Sequence, residues 1–268
     1  MTDGRDGATR PDAGRHVVIT GASRGIGRAL ALHYATAGTH LTLMARSADL
    51  LEEVAALCRA QGATVDVRIA DTTDASAMAQ AIREAQARAG LDLLIANAGI
   101  GGAQAMAGPA GEHPDAARAI AHVNFVGVVN TIAPAIAGMA QKGRGRIVIV
   151  GSVAGLVPLP SSPVYSAAKA GIRAYGIALD RLLRASGVRV TVVSPGFVET
   201  AMSASLSMAR PFLVSADAAA RIIASGVDRG RREIVFPWQI RSAAWFMRLL
   251  PDRLLVRIVE RSQRKLAS

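Results

Sequence analysis

The chain has 268 residues, enough to bury a sizeable core in one large domain, and is 51% hydrophobic with only 4% aromatic side chains. A single cysteine, Cys58, excludes an internal disulfide and fits a reducing, cytoplasmic setting. The net charge of +11 comes almost wholly from arginine spread along the chain without interleaved aromatics, so no nucleic-acid partner is expected.

Residues 1–14 are polar, lack an apolar signal core and read as a disordered tail. No apolar run approaches the length of a membrane span. Beyond the tail, β-branched runs at His16–Thr20, His40–Ala45, Thr64–Ala70, Leu91–Ala96, Arg146–Val150, Val188–Val193 and Glu233–Phe236 predict strands. Between them, Ala- and Leu-rich stretches such as Asp49–Ala60, Ala75–Ala89, Asp115–Ala140 and Val164–Ala185 predict helices. This alternation predicts an α/β fold, a Rossmann-type doubly wound parallel sheet with helices on both faces. No repeat or linker divides the chain.

After Val17-Val18-Ile19 comes Thr20-Gly21-Ala22-Ser23-Arg24-Gly25-Ile26-Gly27, then a helical run. A strand passing through a glycine-rich turn into a helix aims backbone N–H groups and the positive helix end at one point, where a phosphate binds. The second predicted strand ends at Ala45, followed by Arg46, where many dinucleotide folds place an acid for the adenosine ribose. An arginine there can clasp a 2′-phosphate, and Arg24 can approach the same group, so NADP(H) is favoured over NAD(H).

Tyr165 and Lys169 lie one helical turn apart with only small residues between, leaving room for another molecule on that face. A free phenol has a pKa of about 10, and a neighbouring ammonium is expected to lower it towards the range of an acid–base catalyst. The five histidines show no metal-ligand spacing, so no metal is expected.

With these residues assembled, the chain resembles the short-chain dehydrogenase/reductase family over residues 15–237. Thr20–Gly27 matches the cofactor turn, including Gly21, Ser23, Arg24, Gly25, Ile26 and Gly27. Asp71 matches the adenine-site acid, and Ala96-Asn97-Ala98-Gly99 matches the motif after the fourth strand, with Ala96 in place of its first Asn. Pro195, Gly196 and Thr200 match the segment that flanks the nicotinamide. Asn124, Ser152, Tyr165 and Lys169 match the catalytic tetrad. The resemblance implies an oxidoreductase in which Tyr165 transfers a proton to or from the substrate oxygen and Ser152 holds that oxygen. Lys169 would bind the nicotinamide ribose, and Asn124 would help hold a relay water.

Residues 238–268 extend past the last strand. From Pro251, Arg253, Arg257, Arg261 and Lys265 fall four apart beside Leu254, Leu255, Ile258 and Val259, a cationic amphipathic helix. It suits a flap, a subunit contact or a peripheral contact with an anionic inner-membrane surface. Apolar Met202, Leu206, Met208, Phe212 and Leu213 suit either loop packing or a lipophilic, long-chain keto or steroid-like substrate. Apolar residues beyond one stripe, namely Ile120, Val123, Val126 and Val129, then Ile172, Tyr175, Leu179 and Leu182, predict a homodimer or homotetramer. The alternative functions are a non-catalytic NADP(H) sensor and a membrane-surface protein anchored by its C-terminal helix.

Overall fold

The computed structural model describes residues 14–102, 111–204 and 210–247. The predicted tail before Gly14, Leu206, Met208 and the amphipathic stretch from Pro251 lie outside the described residues. Seven strands form one parallel sheet: β1 (His16–Thr20), β2 (His40–Ala45), β3 (Thr64–Ile69), β4 (Leu93–Ala96), β5 (Gly145–Val150), β6 (Val188–Pro195) and β7 (Glu233–Phe236). Their order is β3-β2-β1-β4-β5-β6-β7, so the winding reverses between β1 and β4. That reversal opens a crevice at the carboxyl ends of the strands, the place where such sheets bind ligands.

Strand period decides which helix each side chain meets. Val17 and Ile19 join the core under α1 (Gly25–Tyr34), α2 (Ala48–Ala60) and α8 (Ala216–Asp228). Val18 between them joins the core under α3 (Ala75–Ala89), α5 (Gly127–Gln141) and α6 (Pro163–Leu183). Leu30, Leu43, Ile82, Ile95 and Ile132 are fully buried, each worth about 1.5–3 kcal/mol over leaving it in water.

Strand limits moved where pairing decides them. β4 starts at Leu93 because Asp92 is an entry residue whose carboxylate accepts the His16 N–H at 3.0 Å. β6 continues to Pro195 because Ser194 and Pro195 pair with Val235 and Phe236.

The predicted helix Asp115–Ala140 is α4 (Pro114–Ala121) and α5 joined by a π-helical turn, His122–Val126. The Gly127 N–H reaches five residues back to the His122 carbonyl. The run Pro114–Gln141 spans 28 residues and contains an 18-residue window of mean hydropathy 1.5, long and apolar enough for a membrane span, contrary to the sequence reading. Val128, Ile132, Ala135 and Met139 on it are packed in the core against the sheet.

The predicted surplus of apolar residues on these helices is only partly surplus. Ile120, Ile172 and Leu179 are buried within the chain's own core, whereas Val126 and Leu182, with Phe125, are exposed. The wide turn rotates the face that a regular 3.6-residue period assigns. A one-turn helix, α7 (Ala201–Ala204), follows β6, and the last described helix, α9 (Trp238–Met247), packs on β7 and on the 3₁₀ turn Val153–Gly155 that follows Ser152.

Candidate active site

The glycine turn holds its shape through close approach. Gly21 has φ +66°, a conformation that favours glycine, and a Cβ there would lie 2.8 Å from the Ala98 Cα. A Cβ on Gly27 would lie 2.5 Å from the Asn97 Nδ2. The backbones of β1 and β4 therefore meet over bare glycine, with Ser23, Arg24, Gly25 and Ile26 carrying the chain into α1. That helix has neither a side-chain cap nor an acid in its first turn. Its leading N–H groups are free to take an anion, so the residues fit the diphosphate of a dinucleotide.

Thr20 organises this junction, a role the motif alone did not assign. Its hydroxyl accepts the Asn97 and Ala98 N–H groups at 3.2 and 3.3 Å, while the Asn97 amide donates to the Thr20 and Gly21 carbonyls. Its place at the end of β1, before the first glycine, is the signal that marks it. Thr200 closes over the same turn, its Cγ2 3.0 Å from where a Cβ on Gly25 would stand. Pro195 ends β6, and the Gly196 N–H donates to the Phe236 carbonyl at 2.8 Å. The Ile240 side chain of α9 rests on Gly196, 2.5 Å from a Cβ position there. Sequence reading gave Ile240 no part in the site.

At the end of β2, the exposed Arg46 is paired with Asp71 at 3.7 Å. Asp71 also accepts the Thr73 N–H and hydroxyl at 2.9 and 2.8 Å, and these bonds, more than Arg46, hold its carboxyl below the usual carboxylate range. The arginine and the acid predicted for separate parts of the adenosine end are thus in contact.

The four tetrad candidates stand near the carboxyl ends of β4 and β5. Asn124 is buried in the π turn, where its amide closes a ring with Ile100, accepting the Ile100 N–H at 3.0 Å and donating to its carbonyl at 2.9 Å. A Cβ on Gly99 would touch the Asn124 Oδ1 at 2.7 Å and the Lys169 Nζ at 3.5 Å, so all three meet. Lys169 is buried, donates to the Val150 carbonyl at 3.2 Å, and lies 5.7 Å from the Tyr165 ring centroid. Ser152 follows β5, its hydroxyl accepting the Ala154 N–H at 3.2 Å.

The electrostatics differ from the sequence expectation. Burial pushes the Tyr165 phenol above its ordinary value, and a hydrogen bond with Ser152 opposes that rise. Lys169 is not among the groups that shift the phenol; burial pushes its own amine down to about 8, and its Nζ donates to the end of β5. Among the described residues no group of three or more His, Cys, Asp or Glu could hold a metal.

The sequence matches the family model of the short chain dehydrogenases over residues 15–211. A protein of Myxococcus xanthus named as an uncharacterized oxidoreductase is 36% identical over 242 residues, covering 90% of this chain and 94% of that one. A short-chain dehydrogenase of Sphingobium yanoikuyae, solved in complex with NADPH, aligns with TM-score 0.76 and 27% identity over 88% of this chain and 96% of its own. A short-chain dehydrogenase/reductase of Burkholderia phymatum, solved with NAD, shares the fold at TM-score 0.79 and 23% identity, over 88% and 93% of the two chains. The chain belongs to the short-chain dehydrogenase family and is an oxidoreductase that uses a nicotinamide cofactor.

Proposed function

We propose that this enzyme interconverts a carbonyl and an alcohol with NADP(H), and that its substrate is lipophilic. The meeting of Asn124, Lys169 and Gly99 beside Tyr165 and Ser152, at the edge of the crevice, carries the reading. The nicotinamide supplies or accepts the hydride. Tyr165 gives its phenolic proton to the carbonyl oxygen, or takes one from the alcohol in reverse. Ser152 lies close enough to Tyr165 to lower its pKa, so an oxygen placed between the two hydroxyls is fixed and stabilised as charge develops. Lys169 donates to the ribose and, with Asn124 behind it, supports return of a proton to Tyr165.

Preference for NADP(H) is supported by Arg46, whose side chain is 69% exposed at the end of β2. Its pairing with Asp71 is a surface ion pair worth about 0–1 kcal/mol, so a 2′-phosphate can draw the guanidinium away. A lipophilic substrate is supported by exposed Met202, Phe212 and Leu213, and by Trp238 at the start of α9. The Met202 Cγ lies 3.1 Å from a Cβ position on Gly101, on the chain leaving β4. Exposed Phe125, Val126 and Leu182 support a homo-oligomer.

The test is a screen of the purified enzyme with NADPH and NADH against ketones of graded chain length. The reading requires NADPH oxidation that strengthens with apolar length. Turnover confined to small polar ketones removes the substrate class, and no turnover of any carbonyl or alcohol leaves a cofactor-binding sensor.

A further inference from the structure

The helix that carries Tyr165 begins without the cap its sequence offers. Pro163 occupies the first helical position and has no N–H to satisfy, and Ser162 stands at the N-cap. The Ser162 hydroxyl makes no cap bond; it donates to the Ser161 carbonyl at 2.7 Å. The Val164 N–H, immediately before Tyr165, is taken by the Glu112 carboxylate, with oxygens at 3.0 and 3.2 Å. Glu112 is half-buried, lies 52 residues away, and stands two residues before α4.

Two further contacts meet at the same turn. On the far side of Tyr165, the Ser166 hydroxyl accepts the Leu159 N–H at 2.9 Å. Gly102 presses on it as well: a Cβ there would stand 2.7 Å from the Ser162 Oγ and 2.9 Å from the Tyr165 Cβ. Both chain neighbours of Tyr165 are thus tied by hydrogen bonds from outside α6.

We propose that Glu112 is a positioning residue for Tyr165, a remote N-cap that holds the first turn of α6 in register with Ser152. This rests on the reading of Tyr165 as the proton-transferring group. A carboxylate suits the place on two grounds: it accepts an orphan N–H of the first turn and it lies at the positive end of the helix. It also joins the segment that opens the Asn124 helix to the segment that opens the Tyr165 helix, so the two halves of the tetrad share one tie.

The test compares Glu112→Ala with Glu112→Gln, whose amide oxygen can still accept the Val164 N–H. Amide hydrogen exchange, read on peptides covering residues 162–170, is expected to accelerate about five-fold in E112A, the scale of a lost side-chain cap, and to stay near wild type in E112Q. In turnover, kcat falls in E112A and recovers in E112Q, while KM for the cofactor is unchanged in both. Where E112A does not fold, E112D, one methylene shorter, makes the same comparison. Unchanged exchange in E112A, acceleration spread evenly over the chain, or E112Q as defective as E112A overturns the proposal. The exchange arm needs no turnover, so an error in the role of Tyr165 would show as lost kinetic effects with the exchange result intact.

Discussion

The Lys169 Nζ stands 5.7 Å from the centre of the Tyr165 ring and gives its hydrogen bond to the Val150 carbonyl at 3.2 Å. The ammonium is therefore anchored to the end of β5 and lies over the ring of Tyr165. Burial acts on both groups, raising the tyrosine and lowering the lysine to about 8.

Tyr165→Phe is expected to reduce kcat by at least about 100-fold while leaving cofactor affinity nearly intact, since only the hydroxyl that meets Ser152 is lost. Steady-state kinetics with cofactor fluorescence titration check it. More than about a hundredth of wild-type kcat in the variant would remove Tyr165 from proton transfer.

Arg46→Asp is expected to move preference from NADPH towards NADH. The substitution sets a second carboxylate beside Asp71, now 3.7 Å from the Arg46 guanidinium, and a 2′-phosphate would meet two negative charges. The ratio of kcat/KM for the two cofactors is the measurement; an unchanged ratio reduces Arg46 to a loop charge.

Below neutrality the fold is expected to weaken through His16. Its ring is fully buried, donates from Nδ1 to the Gly90 carbonyl at 3.2 Å and accepts at Nε2 from the Thr42 hydroxyl at 2.9 Å. It stacks on His40 at 4.4 Å, and His40 pairs with Asp66, which also holds Arg88. Burial, followed by His40, lowers the His16 pKa to about 4 from 6.5. The unfolded chain binds the extra proton first, so stability falls as pH drops from 6.5 to about 4, by on the order of 3 kcal/mol. His16→Gln should flatten the decline in thermal melts over that window; an unaltered slope would assign it to other groups.

Much of this was legible because the signals are local. The glycine turn, the limits of β1, β2 and β7, and the Tyr165–Lys169 spacing depend on backbone sterics and on side-chain period. The Arg46–Asp71 contact and the seat of Ile240 on Gly196 join segments far apart in sequence, and no local pattern encodes them. The buried sides of Ile120, Ile172 and Leu179 were misread for another reason: apolar residues serving the core and those left for a partner look alike until the helix is docked.

Assembly gives the fourth prediction. Light scattering at micromolar concentration should find at least a dimer, and Val126→Glu with Leu182→Glu should shift it to monomer, because both side chains are exposed now and would be covered by a partner. A monomeric wild type would assign these residues to the free surface.

The widened turn at His122–Val126 makes the long helix unequal in what it tolerates. Removing one residue from the regular helix just after it would rotate everything beyond the cut by about 100° relative to what precedes it. Either the amide of Asn124 would leave Ile100, or Val128 and Ile132 would leave the core. Substitutions can drift along this helix one at a time, whereas a change of length within it would set recognition against folding. Its residue count should be the slowest-changing property of the segment as the chain diverges.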